Sequence, residues 1–494
     1  MLRALSLSLG LCIGLMQETP AQSMAPRIGV DRRIELTVIL FKLAGAGEFN
    51  QNNFVEYQAD IERHFGPFRS HEAVALARAL HDHGTTFSAV MGIPIRLSDP
   101  PELRERVPFD STGGWPGPPA DIQRFVEAAR RFAVATRAEE FFAAHRVLYD
   151  SVNVRLRRPI DSLADLQWLS AFFGVPPDRD FVVVPMLANS ETSFSSCMQP
   201  PNARLECYSI LGHHRTDAAG FPMYDAGFVG TLVHEAGHAY VNPLADARRS
   251  DFERSAPRVQ AQVADAMAAQ AYGGWTSMVN ESLLHAVEAR YALAHQGPDA
   301  LPRFFADQRK QSWFWVEELY NLYGEYEANR RTYPTFAAFM TRVIAYFDSL
   351  PERVPAMVQR YDAQRPKVAS LSIDNGSQSV DPGLHEIVVR FDRPVREDGW
   401  SIVPSFGHST PTKESRARVP KITWKSWGTG NAPHTPFKQG TGLDSTGTTF
   451  RFGVELQPGR EYEFQLNTPH GYGFKNADDG VPLAPYRITF KTKG

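Results

Sequence analysis

The spacing of apolar residues changes once along the chain, near residues 351–366, and this change constrains the fold more than any other feature. Before it, apolar residues recur at the three- and four-residue spacing of amphipathic helices. After it, they alternate with polar residues between Gly, Pro and Asn turns. The sequence therefore predicts an α+β multidomain protein, with an α-rich domain followed by an all-β antiparallel sandwich.

The strongest periodic segments give the predicted secondary structure in both halves. In the first half, helices are predicted at 33–44, 72–83, 120–135, 139–151, 228–240, 260–272, 278–293, 313–326 and 335–349, and a strand at 181–187. In the second half, strands are predicted at 368–373, 386–391, 448–454, 461–466 and 486–491, with a short strand at 422–427 inside an irregular insertion, 408–447.

The N-terminus has the order of features that is typical of a secretory signal peptide. Arg3 places a positive charge before an apolar run, residues 5–16, and small and polar residues follow. The run is too short to cross a membrane comfortably. We therefore expect residues 1–23 to be removed, leaving an exported chain, periplasmic or extracellular, with no transmembrane segment.

Cleavage would remove Cys12 and leave two cysteines, Cys197 and Cys207. An even pair at close spacing in an exported chain predicts a disulfide. The flanking segments, 192–196 and 208–211, look like strands, so the bridge would staple a hairpin. The alternative is two unpaired, buried thiols.

Composition says little about binding partners. The formal net charge of −3 gives no electrostatic reason to expect nucleic acid or an anionic membrane. The aromatic residues between 313 and 326 lie at helical spacing, which is more typical of a core than of a sugar- or peptide-binding surface. Function must therefore be sought in local motifs.

Segment 228–240 contains the motif His-Glu-Ala-Gly-His. Residues four apart lie one turn above each other on a helix, so His234 and His238 face the same point and can bind one Zn²⁺. Glu235, adjacent on that face, can take a proton from a water molecule held there. Apolar residues would bury the rest of the helix, and Pro243 would end it. The alternative is two ordinary histidines on an ordinary helix.

A catalytic zinc needs a third protein ligand and an open position. The metzincin continuation is absent, because Val241 and Leu244 stand where that class requires Gly and a ligand. A later helix supplies the candidates Glu281, His285 and Glu288 on one face. Spacing alone does not choose among them.

Resemblances to two known families favour one of these three residues as the third zinc ligand. Asn280-Glu281 resembles the pair that opens the third-ligand helix of thermolysin-like gluzincins. A closer resemblance is to a bacterial family of exported HExxH proteins, domain of unknown function 4932, over roughly residues 27–350. The matching features are residues 33–36, the motif followed by Asn242-Pro243, and Glu281-Ser282-Leu283 with Ala286. The resemblance implies His234, His238 and Glu281 as ligands of one catalytic zinc and Glu235 as the general base. It also places His285 where relatives carry a basic residue.

The second half resembles a bacterial Ig-like domain. Residues 381–395 are similar to its opening, and residues 462–464, 473–474 and 486–492 to its end. Such domains are spacers or adhesion modules, so a cell-surface ligand is implied, although the fold names none. The predicted domains are a signal peptide (1–23), a zincin-like metallohydrolase domain (24–365) and an Ig-like β-sandwich domain (366–494).

These features together predict a secreted zinc-dependent hydrolase, a gluzincin-type metallopeptidase acting on a peptide or protein substrate. One alternative is a zinc hydrolase of another amide or an ester. The other is a non-catalytic surface-binding protein with a vestigial zinc site, against which Glu235 argues. A second donor usually stabilises the oxyanion in such enzymes. The candidates, each also explicable as an ordinary loop or core residue, are His213, His214, Arg215, Tyr224 and Tyr240.

Overall fold

The computed structural model describes residues 25–51, 54–109, 117–176, 178–190, 192–213, 215–270, 272–396, 399–404, 442–454, 456–468 and 473–494. The predicted signal peptide, His214 and the predicted strand at 422–427 lie outside these residues. By internal contacts the chain divides into two compact units. Unit 1 is residues 1–167 with 176–239, and unit 2 is residues 168–175 with 240–494.

The described residues form a mixed α/β chain, in which a helical region precedes a region of antiparallel sheets. The helices are α1 (Arg32–Ala44), α2 (Val55–Phe65), α3 (Glu72–Asp82), α4 (Ser88–Met91), α5 (Pro119–Ala135), α6 (Ala138–Ala144), α7 (Arg146–Leu163), α8 (Gln167–Phe173), α9 (Ala226–Ala247), α10 (Arg249–Phe252), α11 (Ala256–Gln262), α12 (Ala264–Ala269), α13 (Trp275–Gln296), α14 (Leu301–Lys310), α15 (Val316–Ala328) and α16 (Phe336–Gln364). The strands are β1 (Arg27–Ile28), β2 (Arg179–Pro185), β3 (Phe194–Met198), β4 (Leu205–Leu211), β5 (Val368–Leu371), β6 (Glu386–Phe391), β7 (Ile402–Pro404), β8 (Gly442–Leu443), β9 (Thr449–Gly453), β10 (Glu461–Leu466) and β11 (Tyr486–Lys491). Within the described ranges, no helix is long and apolar enough to span a membrane.

Unit 1 contains a four-stranded sheet in the order β1-β2-β4-β3. The pairs β1/β2 and β2/β4 are parallel, whereas β3 and β4 form the predicted antiparallel hairpin. Cys197 and Cys207 are direct partners across that hairpin, with Cα atoms 4.1 Å apart, and they form a disulfide. The predicted cysteine pairing is therefore confirmed.

Helix α1 runs through the core of unit 1 and is buried along almost its whole length. Asp31 begins it by accepting a hydrogen bond from the backbone N–H of Arg33 at 2.9 Å. Gly45 ends it at φ 92°, a left-handed conformation that a residue with a Cβ adopts only with strain. A helix that is apolar on nearly all sides is typical of a core element.

Glu35, on α1, places a carboxylate inside this apolar core. The carboxylate accepts hydrogen bonds from the backbone N–H groups of Leu187 at 2.7 Å and Ala188 at 3.3 Å. It also accepts one from the Tyr57 hydroxyl at 2.9 Å, which in turn is 2.7 Å from the Tyr149 hydroxyl. Burial raises the pKa of Glu35 to about 7, and these hydrogen bonds lower it in part.

Two helices continue through prolines at which the sequence predicted an end. Helix α9 passes Pro243, and α16 passes Pro351 and Pro355 to reach Gln364. Proline lacks the N–H that would bond the carbonyl four residues earlier. The prediction that Pro243 ends its helix, and that the last helix stops at residue 349, is therefore wrong.

At Pro243 and Pro355, side chains from elsewhere replace the donors that these two prolines lack. The carbonyl four residues before Pro243 is that of Ala239, and the Arg179 guanidinium donates to it. The carbonyl four residues before Pro355 is that of Pro351, and Gln262 Nε2 donates to it at 2.8 Å. Each freed carbonyl is thus satisfied without a break in the helix.

In unit 2, aromatic side chains pack around α13. Trp313, Trp315, Tyr323 and Tyr326 are each at most 1 % exposed, so the predicted core role is confirmed for these four, whereas Phe314 and Tyr320 are half-buried. Trp315 Nε1 donates to Ser282 Oγ at 2.9 Å, and the Tyr323 hydroxyl donates to the Leu283 carbonyl at 3.3 Å. These bonds fix the segment of α13 that begins at Glu281.

The last part of unit 2 contains two antiparallel sheets, in the orders β5-β6-β9-β8 and β11-β10-β7. Both contribute to one hydrophobic core, in which Ile387, Phe450, Phe464 and Ile488 are fully buried. The change from helices to antiparallel strands therefore lies where the apolar spacing changes, between the end of α16 and the start of β5.

We expect Gln262→Ala to lower the free energy of unfolding by about 1 kcal/mol, the usual net value of one hydrogen bond. In a Pro355→Ala background the loss should shrink, because the substituted residue would supply the backbone donor to the Pro351 carbonyl. Urea denaturation of the four proteins measures this coupling. Additive effects of the two substitutions would contradict the compensation by Gln262.

Glu35→Gln should change how stability depends on pH. In the wild type the unfolded carboxyl titrates near its ordinary value, and the folded one near 7. The stability that protonation gives the folded state is therefore present at low pH and lost as pH rises towards 7. Between pH 5 and pH 8 the variant should gain roughly 2 kcal/mol relative to the wild type. Thermal unfolding of both proteins across this range tests it; a constant difference would refute the raised pKa.

Candidate metal centre

Helix α9 positions the two histidines of the motif. His234 and His238 lie one turn apart, with ring centroids separated by 4.8 Å and ring planes at 89°. Leu232, Val233 and Ala236 are each at most 2 % exposed, so the remainder of this helix segment is packed in apolar surroundings. The half-buried imidazoles are the polar exception on an otherwise buried segment.

Glu235 lies between these histidines in sequence and is only 7 % exposed. Carboxylates are rarely buried to this degree, because an ionised group loses its hydration. Helix packing alone does not explain a buried carboxylate that stands next to two histidines. A carboxylate in such surroundings is a candidate for proton transfer.

Helix α13 positions Glu281, which is also 7 % exposed. The next residue, Ser282, is fully buried; its hydroxyl donates to the Met278 carbonyl at 2.6 Å and accepts from Trp315. Leu283 and Leu284 are at most 1 % exposed. This packing limits the rotation of α13 and so fixes the direction in which the Glu281 side chain leaves it.

The structure brings the three predicted ligands together. One ligand atom from each of His234, His238 and Glu281 lies within 4.8 Å of the other two, so the group could hold a metal ion. Two imidazole nitrogens and one carboxylate oxygen suit a first-row divalent metal such as zinc. The chemistry of the donor set therefore fits the metal that the motif implies.

A second group shares one of these histidines. Ligand atoms of His234, His285 and Glu288 also lie within 4.8 Å of one another. His285 Nδ1 is 2.7 Å from Glu288 Oε2, and the His285 ring packs edge-on against Trp313 at 5.2 Å. This group contains only one histidine of the motif, whereas the first contains both. The i, i+3 spacing of His285 and Glu288 was the signal in the sequence that could have identified them as a pair.

The predicted oxyanion candidates lie in other surroundings. The Tyr240 hydroxyl is 2.8 Å from Ser170 Oγ, and its ring stacks on Phe173 at 4.9 Å. His213 is fully buried and packs edge-on against Phe54 at 6.0 Å. His213 and Tyr240 are thus packed within the protein interior.

Two further candidates precede the motif helix. Tyr224 packs against Phe228, with ring centroids 4.7 Å apart, and burial raises the pKa of its hydroxyl. Arg215 forms an ion pair with Asp225. The ion pair accounts for the position of Arg215, whereas the buried Tyr224 hydroxyl has no hydrogen-bond partner among the described residues.

We expect Glu281→Ala to weaken zinc binding by more than about 100-fold, since loss of an outer partner alone costs about 10–100-fold. Glu288→Ala is the matched control, because it removes a carboxylate two turns further along the same helix. Zinc titration of the metal-free proteins with a competing chelator measures both affinities. Loss of binding in Glu288→Ala with full binding in Glu281→Ala would assign the metal to the second group instead.

Comparison with known proteins places the chain in a family. No curated protein and no solved structure matches it. One family profile does, the domain of unknown function (DUF4932), over residues 27–346. The match spans most of the chain and agrees with the extent of the resemblance in the sequence. The chain therefore belongs to the family of domain of unknown function 4932.

Proposed function

We propose that this protein is an exported zinc-dependent hydrolase of the gluzincin type that cleaves peptide bonds. The observation that carries the proposal is the grouping of His234, His238 and Glu281, with the buried Glu235 next to the first histidine. This is the donor set of the thermolysin class, in which two histidines and a glutamate leave one position open. A structural zinc site would have no need of Glu235.

In this proposal, the bound metal and Glu235 have different roles in hydrolysis. Zinc held by the three ligands would lower the pKa of a water molecule to about 7 and polarise the scissile carbonyl. Glu235 takes the proton of the attacking water and returns it to the leaving amine. Its position in a buried helix segment keeps bulk water from competing for that proton.

His285 is the residue that we propose for stabilising the oxyanion. Glu288 accepts a hydrogen bond from Nδ1–H of the ring and so orients it. The ring is also held in place by Trp313. In the doubly protonated ring Nε2–H is a second donor, and it would suit negative charge that develops on a carbonyl oxygen.

The remaining parts of the proposal concern location and domain organisation. The Cys197–Cys207 disulfide supports export, because disulfides persist mainly in oxidising compartments. Two antiparallel sheets around one core support an Ig-like sandwich at residues 366–494, following a metallohydrolase domain at 24–365. A surface ligand for that sandwich is part of the same proposal.

Glu235→Gln should lower kcat/KM by about 10²–10⁴-fold, the usual contribution of a general base, while the zinc content stays at the wild-type value. Labelled casein is a suitable general peptidase substrate, and p-nitrophenyl acetate tests for ester hydrolysis. Glu253→Gln, at an exposed position, is the matched control and should keep full activity. Wild-type turnover by Glu235→Gln would refute the role of Glu235 as general base, whereas no turnover by either protein would favour a binding protein. Turnover of the ester alone would favour the non-peptidase hydrolase.

A further inference from the structure

Unit 2 contains a cleft of about 750 Å³, apart from the metal ligands. Its walls are formed by α14, α15, the end of α16 and the turn at residues 479–482. This volume lies in the range of ligand-binding clefts in proteins. None of the residues assigned above to catalysis or metal binding lines it.

Hydrogen bonds hold the two sides of the cleft together. Asn476 Nδ2 donates to the Gln364 carbonyl at 2.8 Å, and Arg393 Nη1 donates to the Ala363 carbonyl at 2.9 Å. Arg365 Nη1 donates to the Pro482 carbonyl at 2.8 Å. The last carbonyls of α16 are thus bound by side chains from the β region, so the cleft is preformed and needs no closure to bind a ligand.

The cleft is positively charged although the whole chain carries −3. Among the described residues, its lining has six cationic and four acidic side chains. Two of the acids are already compensated, because Glu317 pairs with Arg309, and Glu318 with Arg353. Setting these aside leaves two acids, Asp307 and Asp479, against a larger number of cations, which include Arg303, Arg360, Arg396 and Lys475.

The arrangement of these cations favours an extended ligand over a single small anion. Arg303 lies on α14, Arg360 on α16 and Lys475 in the β region, so the cations come from three different walls of the cleft. The ring of Tyr361 is nearly buried, 4 % exposed, and is covered by Phe314 and by the Arg365 guanidinium. It offers no open face on which a sugar ring could stack. A polypeptide with several carboxylates fits this combination better than a glycan does.

The chain's own insertion is an unsuitable occupant. Residues 405–441 contain six Lys and Arg and one Glu, so their charge has the same sign as that of the cleft. The ligand must therefore come from another molecule.

We infer that this cleft binds acidic segments of polypeptides, and, given the proposed peptidase activity on which this second part rests, that it recruits substrates containing them. Steering by a charged cleft raises association rates and weakens at high salt. The cleft is a binding surface that contains none of the residues proposed for catalysis.

Binding is tested with a fluorescein-labelled hexaglutamate peptide by fluorescence anisotropy, on full-length protein carrying Glu235→Gln so that hydrolysis plays no part. Arg303→Glu with Arg360→Glu, both at exposed positions, should weaken binding at least tenfold. Arg254→Glu with Arg258→Glu gives the same change in charge outside the cleft, at arginines that pair with Asp348 and Glu352. This control should bind as tightly as its parent.

Several results would overturn the inference. The first is that hexaglutamate does not bind, and the second is that both charge-reversed proteins lose the same amount of binding affinity. The third is tighter binding of an oligogalacturonate of equal charge, which would indicate a glycan ligand. Substrate recruitment is measured separately, in active protein, with one cleavable peptide with and without a hexaglutamate tail. The cleft variant should lose the preference for the tail and keep its rate on the untailed peptide. Binding without any turnover would refute the peptidase proposal and leave the binding surface standing.

Discussion

The cost of burying carboxylates is the constraint on which the proposed active site depends. Glu235 and Glu281 are each only 7 % exposed, on helices whose neighbouring side chains are apolar. A buried, ionised carboxylate is strongly destabilising unless positive charge or hydrogen bonds compensate it. A divalent cation bound by His234, His238 and Glu281 would stabilise both negative charges. The aromatic packing around α13 would then do more than fill the core, because it would hold Glu281 in position to bind the cation.

Glu35 shows a different answer to the same constraint. Its carboxylate is fully buried and is met by two backbone N–H groups and the Tyr57 hydroxyl. These neutral donors compensate the charge only in part, and the pKa of Glu35 is accordingly raised to about 7. These hydrogen bonds connect α1 to the residues that follow β2. We therefore expect protonation of Glu35 to affect the packing of the fold and not the proposed reaction. One buried carboxylate thus serves the structure, whereas two others serve the function that we propose.

The sequence predicted correctly those features that depend on residues close to one another along the chain. The apolar period predicted most helices and strands, four-residue spacing placed His234 and His238 on one face, and cysteine spacing predicted the bridged hairpin. Sequence could not choose among Glu281, His285 and Glu288, because all three share a helical face and the choice depends on packing. It also failed at Pro243, because Arg179 lies 60 residues before the Ala239 carbonyl to which it donates. The core contact between Tyr240 and Ser170 was hidden for the same reason.

The position of the disulfide has a consequence for the resistance of the folded chain to proteases. β3 lies at the edge of its sheet and is bonded to a single neighbour, β4. Proteases attack chains that have locally unfolded, and edge strands are among the first elements to detach. The bond between Cys197 and Cys207 joins β3 to β4 one pair before the turn of the hairpin, so the two strands stay covalently linked when their hydrogen bonds open. If the chain is the peptidase that we propose, this link would also slow digestion of the hairpin by other copies of the same protein.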